Sequence, residues 1–219
     1  SPELIRVSFG MLTPTEDHAS QACRAALDLR GRLRRLSQEC ETRWFQPLHC
    51  GVGITTGLMT VGVYGTPGHF RFSGIGQVTD FSRRLAHANL RYGSDLLIGP
   101  ETYRQIRSEM AVRPMEMFYD PATNVMSEIY QLLSRNDQIS EEENRRRELF
   151  WQGVIFLREK NFEAALDCFS RSRLPGSDDG PTTYFISISQ EGVAGPAAPA
   201  SRLVREMTEE GHARLISML

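Results

Sequence analysis

Lysine is almost missing from this chain. Of 25 cationic side chains, Lys160 is the sole lysine and the others are arginine. Genomic base composition accounts for the bias, but the consequence is chemical: no lysine before residue 160 can serve as a cation or nucleophile. Long apolar runs are missing too. None approaches the roughly 20 residues that span a bilayer, and nothing reads as a signal peptide. The four cysteines, Cys23, Cys40, Cys50 and Cys168, show no CxxC spacing. That argues against a zinc ribbon or a disulfide framework and for reduced thiols in a cytoplasmic setting. A net charge of −2 gives no global field toward nucleic acid or anionic lipid. The arginine runs at 32–35 and 145–147 lack interleaved aromatics, so they read as solvated helix faces and predict no nucleic-acid binding. His49, His69 and His87 have no metal-ligand spacing, and no Gly-Lys-Ser/Thr phosphate loop exists.

What is present suits one domain of about 150 residues with an extension. Residues 4–9 read as a strand. Thr13, Pro14 and Glu16 form a helix-start signal, with Thr13 as cap, and predict a helix to about Thr42. Its apolar stripe is Ala22, Ala26, Leu29, Leu33 and Leu36, and its arginines are expected to face water. His18 reads as a cap-side or exposed histidine. Strands are expected at 48–55, 58–64, 70–75 and 95–98, helices at 77–90 and 100–108, and a hairpin over 112–119 and 126–133. The glycines inside 48–64 are poor strand formers and predict close backbone approach.

After Ser134 the pattern turns helical, at 140–159 and 161–173, while 182–190 is ambiguous between helix and strand. The domain limits follow: a main domain over 1–134, a helical extension similar to a tetratricopeptide repeat over 135–191, a linker over 192–199, and a terminal segment over 200–219 that is helical to about residue 217. A lone repeat cannot stack into a solenoid, so it is expected to pack on the main domain.

Specific motifs then fall in order. Gly51-Val52-Gly53-Ile54-Thr55-Thr56-Gly57 looks like a GIGIxTG strand, and Phe72 to Leu85 is similar to a YTVIGDxVNxAxRL segment. Leu96-Leu97-Ile98 with Thr102 fits an ILIS…T element, Arg113 and Tyr130 bracket a last hairpin, and Phe9-Gly10 with Asp17-His18-Ala19 fits FG…DHA. Together, residues 2 to about 134 resemble the catalytic domain of class III nucleotide cyclases. Asn161–Phe169 and Asp178-Asp179-Gly180-Pro181 resemble the tail that follows many bacterial cyclase domains.

The resemblance implies a chemistry. Two aspartates hold two Mg2+ or Mn2+ ions, which activate the ribose 3′-hydroxyl and bind the leaving triphosphate. An asparagine and an arginine from the partner subunit steady the transition state, and lysines read adenine and neutralise phosphate. The first metal aspartate and the adenine lysine belong to positions upstream of Ser1. The second aspartate falls on Glu3, a longer carboxylate at a terminus. Ser73 occupies the base-reading position and keeps a hydroxyl, which favours adenine. Arg84 holds the arginine position, but Asp80 stands where asparagine belongs and would repel a polyphosphate. Four residues separate Asp80 from Arg84, which predicts an ion pair that withdraws Arg84 from substrate. Pro121-Ala122 replaces a Lys-Gly pair.

The expected fold is therefore α+β, a ferredoxin-like βαββαβ cyclase-type sandwich lacking its first strand, plus a helical C-terminal extension. Either the chain is a fragment of a longer protein or a partner fills the gap, and the fragment reading is favoured. The expected function is that of an adenylate cyclase-like domain in bacterial cyclic-nucleotide signalling, catalytically degenerate and acting as a regulatory or dimerising module. Its partner would be a homodimer or heterodimer mate of cyclase type, with ATP as ligand. Two alternatives stand beside this: an active subunit that completes its site with a partner, and a pure interaction scaffold.

Overall fold

The computed structural model describes residues 4–120, 125–173, 179–194 and 204–206. Their main sheet is built from β1 (Val52–Ile54), β4 (Leu96–Ile98), β6 (Val125–Arg135), β5 (Met110–Asp120) and β7 (Val204–Glu206), in that spatial order. β1 runs parallel to β4, and β4–β6–β5 are antiparallel. A separate ribbon pairs β2 (Thr60–Thr66) with β3 (His69–Ile75). The hairpin register of β5 and β6 shifts around Pro114, whose missing N–H cannot continue a ladder.

Alternation along the strands sends side chains to two faces. Leu96, Ile98, Val112, Tyr130 and Leu132 share one cluster with Ala19, Cys23 and Ala26 of α1 (His18–Trp44) and Ile106 of α3 (Pro100–Ile106). Leu97, Met115 and Ile129 point the other way. There they meet Leu85, Ala88 and Tyr92 of α2 (Gln77–Tyr92) and the helices of the extension: α4 (Glu141–Arg158), α5 (Phe162–Ser172) and α6 (Gly180–Val193). The extension thus shares a continuous core with the sheet. Phe150, Phe169 and Phe185, one from each of these helices, are fully buried with ring centroids 5.2–5.4 Å apart. Each contributes about 1.5–3 kcal/mol by burial. Gly153 leaves room for the Phe169 ring, which an added Cβ would meet at 2.7 Å.

Local signals explain the helix ends. Ser140 and Glu143 form a reciprocal capping box at the start of α4. Asn161 caps α5, and Lys160 before it takes a left-handed turn at φ 61. The ambiguous segment 182–190 lies inside helix α6, which Pro181 opens.

Several expectations are corrected. Residues 4–9 form no strand, and Ile5 and Val7 are 87% and 69% exposed. No described strand lies along the free edge of β1, so this segment has no ladder to join. β1 is shorter than 48–55 because its neighbour β4 offers only three paired residues. α1 starts at His18, not Pro14: Asp17 takes the N-cap position, and His18 Nδ1–H donates to the Thr15 carbonyl at 2.7 Å. Gly10, at φ +70, lies against that histidine, where a Cβ would come within 3.0 Å. The stripe of α1 is buried only in its first half, and Leu29 and Leu36 are exposed. Arg30 does not face water. It donates to the Leu132 and Leu133 carbonyls, 3.4 and 2.6 Å away. The terminal helix is overturned at 204–206, which form strand β7 beside Met117–Tyr119. Pairing with an open sheet edge outweighs local periodicity. The rest of that expected helix, and 195–199 of the expected linker, lie outside the described residues, while 192–193 belong to α6.

All four cysteines are free thiols, as their spacing suggested. Burial, aided by Glu109, pushes the Cys23 thiol up to about 12, so it stays protonated in the core.

Two buried polar clusters tie the extension to the sheet. Arg113 of β5 donates to Asp179 at 2.5 and 2.8 Å and to Gln131 at 2.6 Å, and its guanidinium lies 4.4 Å from the Phe150 ring centroid. Burial alone would raise the Asp179 carboxyl, but Arg113 and Thr182 outweigh it and hold it below the ordinary range. In the second cluster, Glu116 of β5 accepts from Tyr92 of α2 at 2.8 Å and from Tyr184 of α6 at 2.7 Å. Arg91 donates to Tyr184 at 2.6 Å. Between these clusters Gly93 and Gly180 touch backbone to backbone, and a Cβ on Gly93 would meet the Gly180 Cα at 2.9 Å.

The lowered Asp179 carboxyl gives a signed prediction. Its stabilisation is complete above the unfolded value of 3.8 and is lost as pH falls through the lower folded value. Asp179→Asn is expected to lower stability at pH 7 by roughly 2–3 kcal/mol, discounted because Asp179 is partly exposed. Urea denaturation should show the gap between the two proteins closing as pH drops below 3.8.

Candidate functional site

The glycine-rich strand and helix α2 make the site together. Gly51 and Gly53 of the β1 segment lie directly against α2. A Cβ on Gly53 would run into the Ser82 carbonyl and meet the Ala86 nitrogen at 2.5 Å, and one on Gly51 would run into the Ala86 carbonyl. The expected close backbone approach is therefore present, and its partner is α2. Asn89 completes the join by donating from Nδ2 to the Val52 carbonyl at 3.0 Å, with Ser94 donating to its Oδ1 at 2.8 Å. Buried Thr79, Leu85, Ala88 and Tyr92 fix the rotation of the helix.

That rotation aims Asp80 and Arg84 into an open cleft of about 240 Å3. The cleft lies beyond the carboxyl ends of the parallel strands β1 and β4, where α/β architectures commonly place ligands. Thr55 and Thr56 follow β1, Gly99 and Glu101 follow β4, and Ser127 of β6 closes one side. Thr55 is held by donating to the Val78 carbonyl at 2.7 Å, and Thr56 shares a hydrogen bond with Thr102 at 3.0 Å. Gly99 lies close to Phe81, whose ring a Cβ would meet at 3.0 Å and have to displace slightly.

The ion pair of Asp80 is with Arg83, at 3.8 Å, and not the expected one with Arg84. A helical carboxylate reaches both i+3 and i+4 neighbours, and here the rim-side arginine takes it. Both side chains are largely exposed, so the pair contributes little. Arg84 itself lines the cleft. Ser73 does not. It sits in the ribbon opposite Gly62, and its hydroxyl donates to the Gly74 carbonyl at 3.5 Å. Glu3 and Pro121-Ala122 lie outside the described residues. Arg113 and Tyr130 also lie away from the cleft: Arg113 holds the extension, and Tyr130 stacks on Tyr103 at 4.0 Å while donating to Glu128 at 2.6 Å.

Among the described residues, no group of three or more His, Cys, Asp or Glu side chains could hold an ion. Of the two carboxylates lining the cleft, Asp80 engages Arg83 and Glu101 engages Arg104.

No family model and no curated protein matches the sequence. Solved structures do. The adenylyl cyclase CyaB from P. aeruginosa is similar at 23% identity over 58% of this chain and 65% of that one, with a TM-score of 0.49. The guanylyl cyclase Cya2 is similar at 20% identity over 60% and 66%, with a TM-score of 0.50. The guanylate cyclase domain of RhGC from Catenaria anguillulae is similar at 18% identity over 58% and 66%, with a TM-score of 0.46. The chain spans just under two thirds of each of these structures. The likeness is one of fold: the chain shares the α+β fold of the guanylyl cyclase Cya2 and carries a helical C-terminal part.

The close contact between β1 and α2 makes a sharp prediction. Gly53→Ala should lower stability in urea by roughly 2–3 kcal/mol, because backbone atoms have to move. Gly31→Ala, on an open stretch of α1 with nothing within 4 Å, should leave stability unchanged or raise it by up to about 1 kcal/mol.

Proposed function

We propose that this chain is a cyclase-like domain that does not by itself convert ATP to cyclic AMP and pyrophosphate, and that it serves as a regulatory, dimerising module in bacterial cyclic-nucleotide signalling. The observation that carries this reading is the exposed carboxylate of Asp80 beside Arg84 in the cleft. Glu101 also lines the cleft, so two carboxylates share its lining with Arg84. A polyphosphate brought there meets like charge. The reading of adenine rests on the Ser73 hydroxyl alone, and the cytoplasmic setting on the free thiols. Among the described residues, no helix is long and apolar enough to cross a membrane.

Dimerisation is supported by the β2–β3 ribbon, one face of which leaves Val63, Phe70 and Phe72 about half or more exposed. A contiguous apolar face of this kind is costly in water and suits a second cyclase-type domain. The alternative, an active subunit completed by its partner, is favoured by one observation: Arg84 still reaches the cleft.

Cyclic AMP formation from Mg-ATP and Mn-ATP tests the proposal. The chain alone should give none above background, while Asp80→Asn should strengthen binding of a non-hydrolysable ATP analogue by about tenfold. Robust product that disappears in Arg84→Ala would establish the alternative.

A further inference from the structure

A second cleft, of about 420 Å3, opens on the opposite side of the sheet from α2, where α3 and β5 meet the first helix of the extension. Its size falls within the ordinary range of small-molecule sites. We propose that it binds a small phosphate ester carrying a flat aromatic ring, in the class of the nucleoside monophosphates.

The charge pattern is the first support. Arg107, at the end of α3, and Arg147, on α4, both line the cleft. The arginines around them are answered within the chain: Arg104 by Glu101, Arg146 by Glu142 and Arg24 by Glu109. No such partner is recorded for Arg107 or Arg147 among the described residues. Two guanidinium groups at one cleft match the oxygens of a phosphate. Glu148 is the only acid in the lining, and it already accepts a hydrogen bond from Asn144 at 3.2 Å.

The second support is aromatic. Tyr103 and Trp151 line the cleft from the α3 and α4 sides, over a floor of Met110 and Val112. Tyr103 is held in place by its stack on Tyr130, and Tyr130 is anchored in turn through Glu128, which also takes an ion pair from Arg158. A fixed phenol ring and an indole in the lining of one cleft suit a planar base. The occupant would touch both the cyclase-like domain and the extension, so binding would hold α4 against the sheet.

The chain has two tryptophans, and Trp44 at the exposed end of α1 can be removed. In a Trp44→Phe protein, titration with AMP should give a saturable change in Trp151 fluorescence, with calorimetry confirming the affinity. Adenosine and inorganic phosphate should each bind at least about tenfold more weakly than AMP, since each uses half of the site. Arg107→Ala and Arg147→Ala should each weaken AMP by about tenfold or more. Glu148→Gln should tighten it severalfold, and this variant decides the matter should an arginine variant fail to fold by circular dichroism. Arg84→Ala, in the other cleft, should leave the AMP response of Trp151 unchanged. The proposal is overturned by no saturable response at millimolar AMP, by phosphate binding as tightly as AMP, or by binding lost in Arg84→Ala but kept in the Arg107 and Arg147 variants.

Discussion

A guanidinium withdrawn from water needs a carboxylate, and much of this architecture follows from how Arg113 meets that need. Its side chain is 10% exposed and rises from the sheet toward the face that the extension covers. Asp179 lies 66 residues further along the chain and supplies the charge from the residue that precedes α6. Removing either member would strand the other in a low-dielectric environment, a far larger penalty than the net value of the pair. The position of α6 is thereby set, and with it the place where Gly180 meets Gly93 at the end of α2. Glu116 repeats the logic one turn of contacts away. Burial raises its carboxyl, Arg91 and two tyrosines oppose that rise, and the same three segments of chain are drawn together.

The cleft beyond β1 and β4 inherits this order through α2. That helix spans about 24 Å from the rim of the cleft to the extension. Its first turns carry Asp80 and Arg84, while its last carry Arg91, Tyr92 and the left-handed Gly93. Against its side lie the glycines of β1. A rod held at one end by hydrogen-bonded charge and along its flank by backbone contact has little freedom to re-aim its first turns. Arg84 is thus presented to the cleft by a helix whose far end belongs to the extension's contacts. The scaffold thus fixes where Arg84 enters the cleft, alongside the carboxylates of Asp80 and Glu101.

Much of this was readable in advance, for physical reasons that differ by element. The β2–β3 ribbon, α2, α3 and the long hairpin carry their own periodicity and punctuation, so local patterns sufficed. The glycines of 51 and 53 were readable as close-approach sites because strands avoid glycine without cause, though not which helix they met. Elements that depend on distant partners were not readable. Residues 4–9 have strand composition but no neighbour, and 204–206 have helical periodicity but an open edge to join. In the site, the spacing of Asp80 and Arg84 identified the helix face, yet the choice of Arg83 as ion partner depends on rotamers that spacing does not encode. Asn89 and Glu116 went unnoticed because a buried polar residue inside an apolar stripe is visible in sequence only as an interruption.

The scarcity of lysine has a practical side once Lys160 is located. It sits exposed at the left-handed turn between α4 and α5. Within these residues, amine-directed coupling of a surface or dye to a side chain would therefore go to that turn alone. Neither cleft has a primary amine in its lining, so each would stay chemically untouched and open to solution.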